Sequence, residues 1–385
     1  MKYDFDTVID RRNTNSLKYD FTRERGLPED VLPLWVADMD FPAPPEVLAD
    51  MQKAVSHGIF GYSEVKDAYY EALTGWFAAR FGYTFTARDV VKTPGVVFAL
   101  AAAVRAFTKP GDSVLIQTPV YYPFYTVIRD NGRKLVTNPL RYESGAYSMD
   151  FEDFEHKIQS ENVKLFILCS PHNPVGRVWT RRELNTLRAI CEKYKVLVLS
   201  DEIHCDFVYP GHKHTIFGLI DENAVIATAP SKTFNLAGLQ VSNIIVPNKT
   251  LRHALKEEIA KGGYNQLNTL GLVACQSAYS HGGAWLEQLK EYLVENIRLT
   301  RIFLAERLPK VRLVDPQGTY LLWLDFSEYG LSQKELDKRI IEDAKLWLSS
   351  GTTFGSEGEG FQRINIACPK LTLQKALERL ARAFS

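Results

Sequence analysis

Six short apolar runs, each closed by turn residues, constrain this chain more than any other feature. They lie at 113–117, 134–137, 165–169, 196–199, 225–228 and 244–246. Amphipathic helical stretches separate several of them, most clearly 181–194. Short β-branched runs spaced by helices predict an α/β fold with a mostly parallel sheet covered on both faces. Its crossovers are then right-handed. A chain of 385 residues exceeds what one hydrophobic core usually spans, so a large and a smaller domain are expected.

The character of the sequence changes after about residue 280. A long charged helix is predicted over 285–308, strands over 320–325 and 363–367, and helices over 333–345 and 373–384. That reads as a small α+β unit. Pro33, Pro42, Pro44 and Pro45 make the first 45 residues an irregular arm. The expected division is 46–280 for the large domain, and 1–45 with 281–385 for the small one.

Charge narrows the function classes. Lys plus Arg equals Asp plus Glu, 46 against 46, so no global field draws the chain to nucleic acid or to an anionic membrane. The longest apolar stretch, 96–104, is too short to span a bilayer. Residues 1–12 lack the apolar core of a signal peptide. The five cysteines are scattered without CxxC spacing, as expected of reduced thiols in a cytoplasmic protein.

Chemistry-bearing residues cluster where predicted strands end. Lys232 lies in Ala229-Pro-Ser-Lys-Thr-Phe-Asn-Leu-Ala-Gly238, just after a strand, at the sheet edge where open α/β folds bind ligands. Its apolar neighbours would desolvate the amine, lower its pKa and make it a nucleophile. Asp201 ends the run Leu197-Val-Leu-Ser-Asp201, where a carboxylate can hold a pyridine nitrogen protonated. Asn173 sits in the rigid turn Ser170-Pro-His-Asn-Pro-Val-Gly176 and can donate its amide to a phenolate oxygen.

Thr93-Pro94-Gly95-Val96-Val97 opens a helix whose free N–H groups suit a phosphate. Tyr121, in Gln117-Thr-Pro-Val-Tyr121-Tyr122-Pro123, can stack on a flat ring. Arg363 can clamp a carboxylate with its fork. Each feature alone has a plainer reading: a loop lysine, a helix cap, a turn, an ordinary helix start, a core aromatic, a surface-strand arginine. Asp201, Glu202, His204 and Asp206 fall within six residues but lack a ligand spacing, so no metal site is expected.

Taken in order along the chain, these residues resemble the class I/II aminotransferase family within the pyridoxal-phosphate (PLP) fold type I. The resemblance covers essentially the whole chain. Leu34-Trp-Val-Ala-Asp-Met-Asp-Phe41, Gly58-Ile-Phe-Gly-Tyr62, Pro171-His-Asn-Pro174, Asp201-Glu-Ile-His-Cys-Asp206 and Ser231-Lys-Thr-Phe-Asn235 are similar to the MalY/PatB branch of cystathionine β-lyases, or C–S lyases.

The resemblance implies catalytic roles for Lys232, Asp201 and Tyr121, with Lys232 carrying PLP as a Schiff base. It implies that Asp201 pairs with the ring nitrogen, Asn173 with the ring oxygen, and that Tyr121 stacks on the ring. Gly95, Val96, Val97 and Ser231 would hold the phosphate, joined by Tyr62 reaching across a homodimer. Arg363 would bind the substrate α-carboxylate. The implied reaction is α,β-elimination: L-cystathionine to homocysteine, pyruvate and ammonia, or L-cysteine to sulfide.

Two positions depart from the family pattern. Gln240 stands where many aminotransferases place a phosphate-contacting arginine. His204 stands where many place a tyrosine that donates to the ring oxygen; it is counted with the cofactor-binding residues, and simple packing near the site is its plainer reading. An aminotransferase using the same residues is the alternative enzyme. A regulatory protein that binds another protein is the alternative of a different class.

Overall fold

The computed structural model describes residues 2–264 and 266–384. Seven strands form the main sheet. Across it they run Val90–Thr93, Ser242–Ile245, Val225–Thr228, Leu197–Asp201, Val163–Cys169, Ser113–Thr118 and Lys134–Pro139. Ser242–Ile245 is antiparallel to both its neighbours. The other pairings are parallel. Ser113–Thr118 and Val225–Thr228 are buried along their whole length and Leu197–Asp201 at all but its first residue, as a sheet covered on both faces requires.

The helices behave as their sequences dictate. Arg181–Tyr194 opens on a capping box between Thr180 and Glu183 and closes on Lys195 in the left-handed conformation. Its buried residues Leu184, Leu187, Ile190 and Cys191 recur at helical spacing and form one apolar stripe. Pro45–His57 and Thr269–His281 pack on one another. Thr269–His281 buries Leu272, Ala274, Cys275, Ala278 and Tyr279 around most of its circumference, so it carries no amphipathic signal.

The C-terminal region holds a four-stranded antiparallel sheet ordered Arg312–Leu313, Leu321–Asp325, Phe361–Asn365 and Ser349–Ser350. The helix predicted over 333–345 is shorter. Gln333–Lys338 is α-helical, Arg339–Asp343 widens to a π-turn, and Lys345 turns left-handed. The chain must leave the helix there because Leu346–Trp347 pairs in parallel with Leu32–Pro33 of the arm. The aromatic-rich helix Asp67–Phe81 begins only at Asp67, because Lys66 is extended. No helix among the described residues is long and apolar enough to cross a membrane.

Candidate active site

The strand order reverses between Ser113–Thr118 and Val163–Cys169: the chain first moves outward to Lys134–Pro139 and then returns to the other side. Open α/β sheets form a crevice at the carboxyl ends of such a pair. Tyr121 follows one strand and Asn173 the other. They are tied by the Tyr121 N–H donating to the Asn173 carbonyl at 3.1 Å. His172, next to Asn173, is fully buried with Nε2 2.8 Å from the Pro119 carbonyl, which locks the two turns together. Burial pushes its pKa down to about 4, so the ring is neutral and donates.

Lys232 lies on the short helix Pro230–Thr233, and its Nζ donates to the Ala37 carbonyl at 2.7 Å. Burial drives its pKa down to about 8, against the attraction of Asp38. Asp201 ends its strand with Oδ1 accepting from the Ile203 N–H at 3.1 Å. Among the described residues no cation sits at ion-pair distance from it, and burial raises its carboxyl to about 7. A buried acid in that condition calls for a cationic partner.

Arg363 reaches in from the smaller sheet. It donates from Nη1 to Asn173 Oδ1 at 2.8 Å, and from Nη2 to the Trp35 carbonyl at 2.7 Å and Ser349 Oγ at 3.1 Å. Its Nε has no partner. Burial lowers its pKa to about 10, still protonated at neutral pH, yet no carboxylate among the described residues pairs with it. Asn173 Oδ1 is thus engaged, which leaves its amide N–H₂ as the donor.

Tyr121, Lys232 and Arg363 share the wall of one cavity of about 530 Å³. His204 is buried edge-on to Tyr320 at 5.9 Å, and Nδ1 has no partner. Burial and the nearby charges of Lys232 and Arg363 hold it neutral. Gly95 caps Val96–Phe107 without a side-chain cap, and the first turn holds no acid, so this positive helix end is open to an anion. Ser231 is half-buried beside Lys232. Val97, Gln240 and Tyr62 are exposed, Tyr62 at 97% on the loop before Asp67–Phe81.

The acidic cluster is spent on structure. Glu202 accepts from Ser200 and the Phe217 N–H and pairs with His214. Asp206 accepts from Trp76, Arg80 and Thr233. Among the described residues no group of three or more His, Cys, Asp or Glu is arranged to hold a metal ion.

The arm supplies site residues that strand-end reasoning does not reach. Asn235, left-handed at φ 57°, accepts from the Met39 N–H and donates to the Met39 and Phe41 carbonyls. Asn365 donates to the Val36 and Asp38 carbonyls, and Tyr320 to that of Ala37 at 2.9 Å. Arg11 and the fully buried Lys18 anchor Asp38 and Asp40. Asp38 is therefore held beside Lys232. The only sequence signal for these partners is the 34–41 motif itself.

The model of the aminotransferase class I and II family matches residues 29–380. The chain belongs to that family. This class I/II chain is 44% identical over 385 residues to the cystathionine β-lyase PatB of Bacillus subtilis (strain 168), covering 99% of this chain and 100% of that one. Cystalysin from Treponema denticola, whose crystal structure contains a pyridoxal 5'-phosphate cofactor, superposes with a TM-score of 0.96 at 38% identity, covering 100% and 99% of the two chains. The PLP-bound C-S lyase from Staphylococcus hominis superposes at 0.93 and 36% identity, covering 100% and 98%. The fold is the aminotransferase-like PLP fold type I.

Proposed function

We propose that this chain is a PLP-dependent carbon–sulfur β-lyase acting on L-amino acids with sulfur on Cβ. L-Cystathionine goes to homocysteine, pyruvate and ammonia, and L-cysteine is a further substrate. The observation that carries elimination over amino-group exchange is the likeness, along the whole length, to a cystathionine β-lyase.

The residues present fit the cofactor. Asp201 is a buried acid lacking a cation, and a protonated ring nitrogen would supply one. The free amide of Asn173 suits the ring oxygen. The open helix start at Gly95, with the Val96 and Val97 N–H groups and Ser231, suits the phosphate. When bound, PLP supplies a cationic ring that stores the electron pair released at the substrate Cα.

The chain's own groups do the rest. Arg363 binds the α-carboxylate with a guanidinium that no carboxylate among the described residues neutralises. Tyr121 would cover one face of the ring, and His204, held neutral by burial, would add no competing charge. Lys232, with its pKa near 8, is a competent acceptor for the Cα proton at neutral pH. A thiolate leaves readily, so elimination would then need only the Cβ–S bond aligned with the ring's π system, and the Arg363 clamp would fix the carboxylate end about which that alignment is reached.

The reading includes a homodimer. Ile59, Phe60 and Tyr62 are 72%, 59% and 97% exposed in the single chain, and a second copy would cover them and bring Tyr62 to its phosphate. It also includes two domains, 46–280 and 1–45 with 281–385, supported by the ladder between Leu32–Pro33 and Leu346–Trp347. Five buried free thiols support a cytoplasmic location.

The test is purified protein with L-cystathionine and no keto acid. Pyruvate and free thiol are expected in equal amounts. Amino-group exchange that begins only when a keto acid is added would make the chain an aminotransferase instead.

A further inference from the structure

The cavity that holds Lys232 and Arg363 also carries a cation and an anion that no opposite charge among the described residues neutralises. Arg25, at the cavity mouth, lies over the rings of Trp35 and Trp347 at 4.9 and 5.4 Å. The two indoles are themselves stacked at 4.3 Å. Among the described residues Arg25 has no carboxylate at ion-pair distance. Stacking on an indole face holds the guanidinium in place while leaving its N–H edge free.

Asp337 is the counterpart. It accepts from Gln333 Nε2 at 2.7 Å, Gln362 Nε2 at 2.6 Å and Ser350 Oγ at 2.8 Å. These neutral donors hold the carboxylate rigidly, and no lysine or arginine among the described residues pairs with it. Asp337 lines the same cavity, and Ile340 and Ile341 add apolar wall. One cavity thus offers Arg363 for one carboxylate, Arg25 for a second, Asp337 for an ammonium, and aliphatic and indole surface for a thioether chain.

We infer that Arg25 and Asp337 form a distal subsite for the second amino-acid head of a thioether substrate. Arg25 takes the distal carboxylate and Asp337 the distal ammonium. The inference rests on the β-lyase reading above and gives it a substrate class: S-substituted cysteines whose far end is a zwitterion. A mouth-exposed ion pair contributes modestly, about fivefold in affinity for each partner. The subsite therefore sets preference and leaves the chemistry untouched.

The experiment compares kcat/KM of the PLP-loaded enzyme on L-cystathionine and on S-propyl-L-cysteine, which has the same Cβ–S bond but no distal head. Wild type should prefer cystathionine. Arg25→Met and Asp337→Asn should each lower the ratio of the two kcat/KM values about fivefold, through KM. Equal losses on both substrates in the variants would overturn the inference, since Arg25 and Asp337 would then only support the fold. A wild-type enzyme that releases pyruvate from both substrates without preference would also overturn it while leaving the lyase reading intact. Release of pyruvate from neither would defeat the lyase reading, and this one with it.

Discussion

The carboxyl edge of the seven-stranded sheet and the N-terminal arm both reach Lys232, by different means. At the sheet edge each functional residue follows its own strand: Tyr121 after Ser113–Thr118, Asn173 after Val163–Cys169, Asp201 at the end of Leu197–Asp201, Lys232 after Val225–Thr228. The ladder fixes where they stand. The arm has almost no regular structure. Side chains from distant parts of the chain hold it, namely Asn235, Tyr320, Asn365 and Arg363, together with the arm's own Arg11 and Lys18. On the proposed reading, the rigid edge carries most of the chemistry. On the same reading, its enclosure and electrostatic tuning come from the stapled arm, whose Ala37 and Asp38 lie beside Lys232.

If that division is right, substitutions of the edge residue Lys232 and of Arg363, which reaches the edge from the smaller sheet, remove the reaction, and arm substitutions adjust it. Lys232→Ala should lower pyruvate release from L-cystathionine by at least about 10³-fold, since it removes the proton acceptor. A variant retaining a tenth of the activity would break the comparison at its strongest point. Arg363→Ala comes next, with kcat/KM down about 10²-fold, because a buried charge partner of the substrate is lost. Unchanged kcat/KM in that variant would mean that the α-carboxylate binds elsewhere.

The arm predictions are smaller. Asn235→Gly keeps a left-handed backbone easily but loses three hydrogen bonds to Met39 and Phe41. It should cost about 1–3 kcal/mol of stability, read as a lower Tm with kcat/KM reduced about tenfold or less. A wild-type Tm would show that the arm needs no staple.

Asp38→Asn tests the electrostatic coupling. Burial lowers the Lys232 pKa to about 8, and Asp38 opposes that shift. The neutral amine is the form that attacks an aldehyde, so PLP capture by the cofactor-free enzyme should accelerate as pH rises through about 8. Without the Asp38 charge the amine is neutral at lower pH, and the capture profile should move to lower pH. A stopped-flow profile unmoved by the substitution would place Asp38 outside the field of Lys232.

How much of this could be read beforehand follows the same division. The runs at 113–117, 165–169, 196–199 and 225–228 became four adjacent strands within a residue or two, because a doubly covered sheet demands uninterrupted apolar runs. The helix Thr269–His281 was not foreseen, because burial nearly all round erases the period of 3.6. The π-turn at Arg339–Asp343 is set by a two-residue pairing with the arm, some 300 residues earlier in sequence. Local pattern carries no trace of it.

The sequence by itself determined the alternation of strands and helices. It also determined that Lys232, Asp201, Asn173 and Tyr121 would follow strands, because hydrophobic periodicity and turn chemistry are local properties. Only the tertiary structure decided that Arg363 donates to Asn173, that Ala37 and Asp38 lie against Lys232, and that Arg25 and Asp337 share its cavity. Those pairs lie 190 or more positions apart in the chain. They depend on how the smaller sheet and the arm dock onto the larger one, and that packing is a property of the whole chain.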